Sequence, residues 1–129
     1  MQTVCDFLKK CEIFYVATTD GTHPHLRPFG AAEIWNGQLI IQTGSAKAVA
    51  KQLRANPNIE IVACDGENWM RISAAVQEVE DPAAEEQIYI AYPYMRGVYS
   101  QENPILVLAL THATAVWNPA EGDSSVICF

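Results

Sequence analysis

The chain has 129 residues, half of them hydrophobic and 18% charged, which suits one folded domain over residues 1–129 and excludes a disordered segment or a coiled coil. Eight lysines and arginines against fifteen acids give a net charge of −7, so no basic surface is left over for a nucleic-acid backbone. No apolar run approaches the ~18 residues that span a bilayer, and Met1 to Lys10 lacks the basic-then-apolar order of an export leader, so a cytoplasmic protein is expected.

In chain order, Val4, Phe7, Leu8 and Cys11 recur at helical spacing and predict an amphipathic helix over 2–11. The β-branched and aromatic run at 13–18 predicts a strand, and Asp20-Gly21 a turn. A second strand is expected over about 24–35; Pro24 and Pro28 confine it to an edge or to bulged positions, because proline donates no ladder hydrogen bond. Asn36-Gly37 is a strong hairpin signal and leads into a strand at 38–43. Gly44-Ser45 before and Asn56-Pro57 after delimit a helix from about Ala46 to Ala55. Further strands are expected at Ile59–Cys64 and Trp69–Val79, joined at Asp65-Gly66, then a helix over about 82–91 opened by Asp81-Pro82. Tyr92–Ser100 reads as an aromatic loop or short helix, Ile105–Leu110 as a buried strand, the stretch to about Trp117 as a last strand, and residues 119–129 as a loose tail. Short strands joined mostly by hairpins, with helices at the edges, predict a mainly β, α+β antiparallel barrel or sandwich.

The charge map points to a function. Residues 34 to 59 contain no carboxylate, yet they hold Lys47, Lys51 and Arg54, three of the eight cations. On a helix those positions form one stripe, with Ala46, Val49, Ala50 and Leu53 facing the core. Thr43, Gly44 and Ser45 place hydroxyls and open backbone at the positive end of that helix, which predicts an anion site for a dianionic phosphate; the competing reading is a solvated basic face. On the second strand His23, His25 and Arg27 alternate with Pro24 and Leu26, so they share a face. Pro28 holds Arg27 extended, posed for bidentate phosphate binding; the competing reading pairs it with Glu33 or another acid. Neither the histidines nor Cys5, Cys11, Cys64 and Cys128 stand at ligand spacing, so reduced thiols and no metal are expected. So few charges on a small chain also predict apolar surface buried against a second copy, as a homodimer.

The ordered set Ala17-Thr18, Asp20-Gly21, Pro24, Arg27-Pro28-Phe29, Asn36-Gly37, Gln42-Thr43-Gly44-Ser45-Ala46-Lys47, Lys51-Gln52-Leu53, Asn56-Pro57 and Asp65-Gly66 with Trp69-Met70-Arg71-Ile72-Ser73 resembles the pyridoxamine 5′-phosphate oxidase-like, FMN-binding split-barrel family over about residues 10–117. The resemblance implies a six-stranded antiparallel split β-barrel with flanking helices, dimeric, with FMN at the dimer interface. It implies that Arg27, Lys47 and Lys51 bind the FMN phosphate beside Thr43 and Ser45. The backbone of Arg27, Pro28 and Phe29 and of Gln42 and Thr43 would line the ring, and Trp69 and Arg71 would contact ring or ribityl, across the dimer. The implied activity is that of an oxidoreductase on a small molecule; alternatives are a flavin carrier or sensor without turnover, or a relative that binds haem or a deazaflavin through His23 or His25. The family's B6-phosphate oxidases carry a C-terminal arginine–histidine pair, whereas here the last histidine is His112, so that particular oxidase activity is not expected. Ala48 stands where many relatives have a cation, which implies weaker FMN binding. Tyr92, Arg96 and Tyr99 are the candidate substrate-facing residues, with dimer packing as their competing role.

Overall fold

The computed structural model describes all 129 residues. Helix α1 (Gln2–Cys11) buries Val4, Cys5, Phe7 and Leu8, as its periodicity requires. Strand β1 (Phe14–Thr19) pairs antiparallel with β2 (Pro24–Phe29), and Asp20 ties the intervening turn by accepting from the amides of Thr22 and His23 at 2.8 and 2.7 Å. The expected second strand then divides. The chain breaks at Gly30-Ala31 and resumes as β3 (Ala32–Trp35), which pairs with β4 (Gln38–Gly44) and not with β1. Asn36 and Gly37 both have positive φ, 49° and 72°, the conformation that an Asn-Gly hairpin supplies.

Helix α2 (Ala48–Ala55) is followed by β5 (Asn58–Asp65), β6 (Asn68–Val79), α3 (Pro82–Ala91) and a short 3-10 helix at Pro93–Gly97. Strand β7 (Ile105–Asn118) runs through where two strands were expected. Residues 119–129 are not a loose tail: β8 (Ser125–Cys128) pairs with β7, and Phe129 exchanges both backbone hydrogen bonds with Ala113.

The antiparallel sheet has the order β2-β1-β5-β6-β7-β4-β3, with β8 also on β7. It therefore contains eight strands where the resemblance implied six, through the break at Gly30 and the addition of β8. Strand β7 pairs with β4 along its first half and with β8 along its second. Between them His112 takes φ 50° and the facing register shifts between Ser73 and Ala75, a bulge that bends the sheet. The result is an open, curled sheet of the split-barrel α+β type. Because β2 and β3 lie at opposite ends of the strand order but are joined by only two residues, the chain itself draws the two edges together.

The main core fills the inside of the curl, with Phe14, Val16, Ile61, Ile72, Leu39, Ile41 and Leu108 fully buried beneath α1 and α2. A second cluster (Ile40, Val107 and Ala109 against Ala84, Ile88 and Met95) buries the other face of β4 and β7 under α3 and the 3-10 helix. Both faces of these strands are thus covered, which is why 105–110 reads as an unbroken apolar run.

Candidate functional site

Where the end of β2 faces β4 without pairing, a cleft of about 290 Å³ opens. Gln42 and Thr43, both buried, come from β4; Arg27, Pro28 and Phe29 come from β2; Lys47 stands at the start of α2; Tyr94, Met95, Val98 and Tyr99 come from the 3-10 segment. Its lining holds cations and phenols but no carboxylate and no histidine. Larger openings exist elsewhere, but none gathers two unpaired cations.

Arg27 is half-buried and locked. Its Nη1 donates to Thr18 Oγ1 at 2.8 Å and to the Val16 carbonyl at 3.1 Å, and its Nη2 donates to Gln52 Oε1 at 2.9 Å. The Thr18 hydroxyl donates to the same Gln52 oxygen at 2.5 Å. Every acceptor is neutral, and burial alone pushes the guanidinium pKa down from its usual value. Glu33, the expected competitor, pairs with Lys9 at 2.9 Å instead. Lys10, Arg54, Arg71 and Arg96 are likewise paired, with Asp65, Glu78, Glu60 and Glu86 at 2.8, 2.7, 2.9 and 2.5 Å. The three cations without a carboxylate are Arg27, Lys47 and Lys51, and two of them line this cleft.

The expected geometry of the basic helix needs correction. Helix α2 starts at Ala48, so Lys47 is its N-cap residue, and no side chain caps the end. The Gly44-Ser45-Ala46 turn is occupied from elsewhere: Ser45 N donates to the Pro104 carbonyl at 2.8 Å and Ala46 N to Asn103 Oδ1 at 3.0 Å. Asn103 lies directly over Gly44, where any Cβ would collide with its side-chain amide. The backbone of this turn is therefore spent internally, and Ser45 does not line the cleft. Lys51 is one turn further along α2, beside Gln52, outside the lining. Arg54 leaves the predicted stripe altogether by pairing with Glu78.

Other expected residues divide. Tyr99 lines the cleft, and burial pushes its pKa up, so its hydroxyl stays protonated near neutrality. Tyr92 instead donates to the Ala32 carbonyl at 3.0 Å and accepts from the Ala32 amide at 3.3 Å, fastening the 3-10 segment to β3. Arg96 is bound by Glu86 and stacks 5.0 Å above the Tyr89 ring, outside the cleft. Trp69 and Arg71 lie together on β6, outside the cleft, with the guanidinium 5.1 Å over the indole; Arg71 lines a different opening with Tyr15, Leu26 and Val62. His25 binds Asp20 at 2.8 Å and His23 lies 3.9 Å from it, and neither reaches the cleft.

Thr18 and Gln52 went unassigned in the sequence, although both stand in its ordered motif set. Gln42 was expected for its backbone alone, yet its side chain is more informative. Nε2 donates to Met95 Sδ at 3.1 Å and to Tyr99 OH at 3.2 Å, while Oε1 is buried without a partner.

A curled antiparallel sheet whose split carries a basic, aromatic-walled cleft defines a protein of the split-barrel α+β type. The chain belongs to the pyridoxamine 5′-phosphate oxidase family, whose sequence profile matches residues 1–116. A NimC/NimA family protein from Clostridium acetobutylicum superimposes with a TM-score of 0.94 at 29% identity, over 100% of this chain and 92% of that one. General stress protein 26 from Bacillus anthracis matches with TM-score 0.77 at 10% identity, over 99% and 97% of the two chains. A heme-binding protein from Mycobacterium smegmatis matches with TM-score 0.71 at 14% identity, over 94% of this chain and 57% of that one. The last two likenesses concern the fold alone. Comparison with curated protein sequences gives no match. No helix is long and apolar enough to cross a membrane.

Proposed function

We propose that the chain is an FMN-binding flavoprotein that acts as an oxidoreductase on a small molecule, working as a homodimer in the cytoplasm. The observation that carries this reading is the charge pairing: an acidic protein neutralises five of its eight cations with carboxylates and leaves three uncompensated, two of which line one cleft. Such a cluster fits a dianionic phosphate, and the aromatic and thioether wall beside it fits a planar ring. The partnerless Gln42 Oε1 adds a polar demand that a ring with a donor meets.

In this reading Arg27 and Lys47 grip the phosphate, with the Thr43 hydroxyl beside them and Lys51 adding positive potential from the next turn. Pro28 and Phe29 present backbone to the ring edge, and Tyr94, Val98 and Tyr99 exclude water from its face. When bound, FMN supplies the hydride acceptor and donor. Because Trp69 and Arg71 lie outside their own cleft, their role is toward the cleft of a second copy. Ser45 keeps a structural role in the turn before α2. The lining without acid or imidazole also supports the second reading, a flavin carrier without turnover, since hydride transfer needs no protein acid but most substrate chemistry does. A haem or deazaflavin held by His23 or His25 finds no support, with both histidines at the β1–β2 turn beside Asp20.

The test is FMN titration of the purified protein, read by visible absorption and calorimetry. Each charge-assisted hydrogen bond is worth about 1.5–3 kcal/mol, so Arg27→Ala with Lys47→Ala should weaken FMN binding by about a hundredfold or more. Unchanged affinity in the double variant overturns the assignment. Mixing the FMN-loaded protein with NADH or NADPH separates enzyme from carrier: a flavin that stays oxidised favours the carrier.

A further inference from the structure

The buried side chain of Gln42 presents a problem that the fold does not solve. The residue is 7% exposed, lines the cleft and carries four hydrogen-bonding positions, two donor and two acceptor. Both amide hydrogens are engaged, by Met95 Sδ at 3.1 Å and Tyr99 OH at 3.2 Å. The thioether fixes which end is which. Sulfur of this kind only accepts, so the end of the amide facing Met95 must be the NH2 group. The carbonyl oxygen is thereby committed to a place where no protein group donates to it and where solvent scarcely reaches. An unpaired buried acceptor is a standing cost to the fold, removed only when something brings a donor to it.

We infer that Gln42 is the specificity-determining residue of the cleft, and that its Oε1 accepts a hydrogen bond from a ring N–H of the bound ligand. This rests on the flavin reading above and deepens it: phosphate grip by Arg27 and Lys47 gives affinity for any phosphorylated ring, whereas Gln42 selects rings that carry an N–H donor. The selection comes from the bond gained: a ring with the donor relieves the standing cost of the buried acceptor, whereas a ring without it leaves that cost in place. Met95 and Tyr99 serve as positioning residues, since they bind the NH2 end of the amide and leave its carbonyl as the end free to accept.

The probe pair is FMN and its N3-methyl derivative, which keeps the phosphate and ribityl chain but has lost the one N–H of the oxidised ring. With the wild-type protein, FMN should bind at least about tenfold more tightly than N3-methyl-FMN, the cost of one unpaired buried acceptor. Gln42→Met, of similar volume and without donor or acceptor, should lose that preference and bind the two rings about equally. The wild-type comparison needs no variant, so it decides the matter even where Gln42→Met fails to fold. Equal binding of both rings by the wild type overturns the inference about Gln42 and leaves the flavin reading standing. So does a Gln42→Met variant that keeps the full preference. Failure of the wild type to bind either ring overturns both.

Discussion

At the scale of single residues, the site rests on an arginine held by neutral groups. Gln52 binds Arg27 and Thr18 through one oxygen, which orients the guanidinium without cancelling its charge. Gln52→Glu is the informative change. It keeps the shape and strengthens the contact to Arg27, but puts a carboxylate where the structure has an amide. If charge grips the ligand, FMN affinity should fall by about tenfold or more while thermal stability is unchanged or higher. Affinity equal to wild type would show that geometry and not potential holds the phosphate. Lys47 was legible in the sequence because a carboxylate-free stretch in an acidic chain is a one-dimensional signal, and Arg27 because strand alternation and Pro28 mark it out. Gln42 was legible only as backbone, since its orphaned oxygen is created by Met95 and Tyr99, more than fifty positions away. Arg54 misled for the same reason: Glu78, which neutralises it, lies outside the local window.

At the scale of elements, local patterns located most strands and helices, and the errors share a cause. The bounds of α1 follow from its own periodicity, and the Asn36-Gly37 hairpin from its own turn chemistry. Helix α2 was placed two residues early because Gly44-Ser45 resembles a cap, whereas the amides there are claimed by Asn103 and Pro104 from a distant loop. Strand β8 was missed because only four residues form it and the loop that folds it back onto β7, residues 119–124, carries no tight-turn signal. That strand is structural: Ile127 and Phe129 pack against the main core, and Ile127 closes an apolar recess with Phe7, Met70 and Trp117. Deleting residues 125–129 removes two partly buried side chains and the edge pairing of β7, and should lower the unfolding free energy by about 2 kcal/mol in urea melts. None of residues 125–129 lines the cleft, but Val126 and Cys128 lie on the outer face of the sheet, so FMN affinity of the folded truncated chain should fall only as far as its dimer is lost in size exclusion. A truncated chain of wild-type stability would mean that the tail is ornamental after all.

At the scale of the molecule, one face of the sheet lacks a cover. Cross-strand register places Pro28, Tyr15, Val62, Arg71, Val116 and Val126 in one row, and Leu26, Ala17, Glu60, Ser73, Thr114 and Cys128 in the next, all on the side away from the main core. Leu26 is 68% exposed, Val126 61% and Tyr15 47%, in a chain whose few charges were already too sparse to cover its surface. The one ion pair within these rows, Arg71 with Glu60 at 2.9 Å, sits between the apolar residues and matches a partner of the same composition. A second copy of this chain meets those terms, and it also gives Trp69 and Arg71, useless to their own cleft, a route to a neighbour's. Leu26→Glu tests both halves of the argument, because Leu26 faces outward and its replacement leaves the core intact. Light scattering after size exclusion should show a dimer for the wild type and a shift to monomer for the variant, since a stable interface of about 1,600 Å² does not tolerate a buried unpaired carboxylate. If the partner completes the site, FMN affinity should fall with the dimer; a monomeric Leu26→Glu that binds FMN as tightly as wild type would confine the whole binding site to one chain.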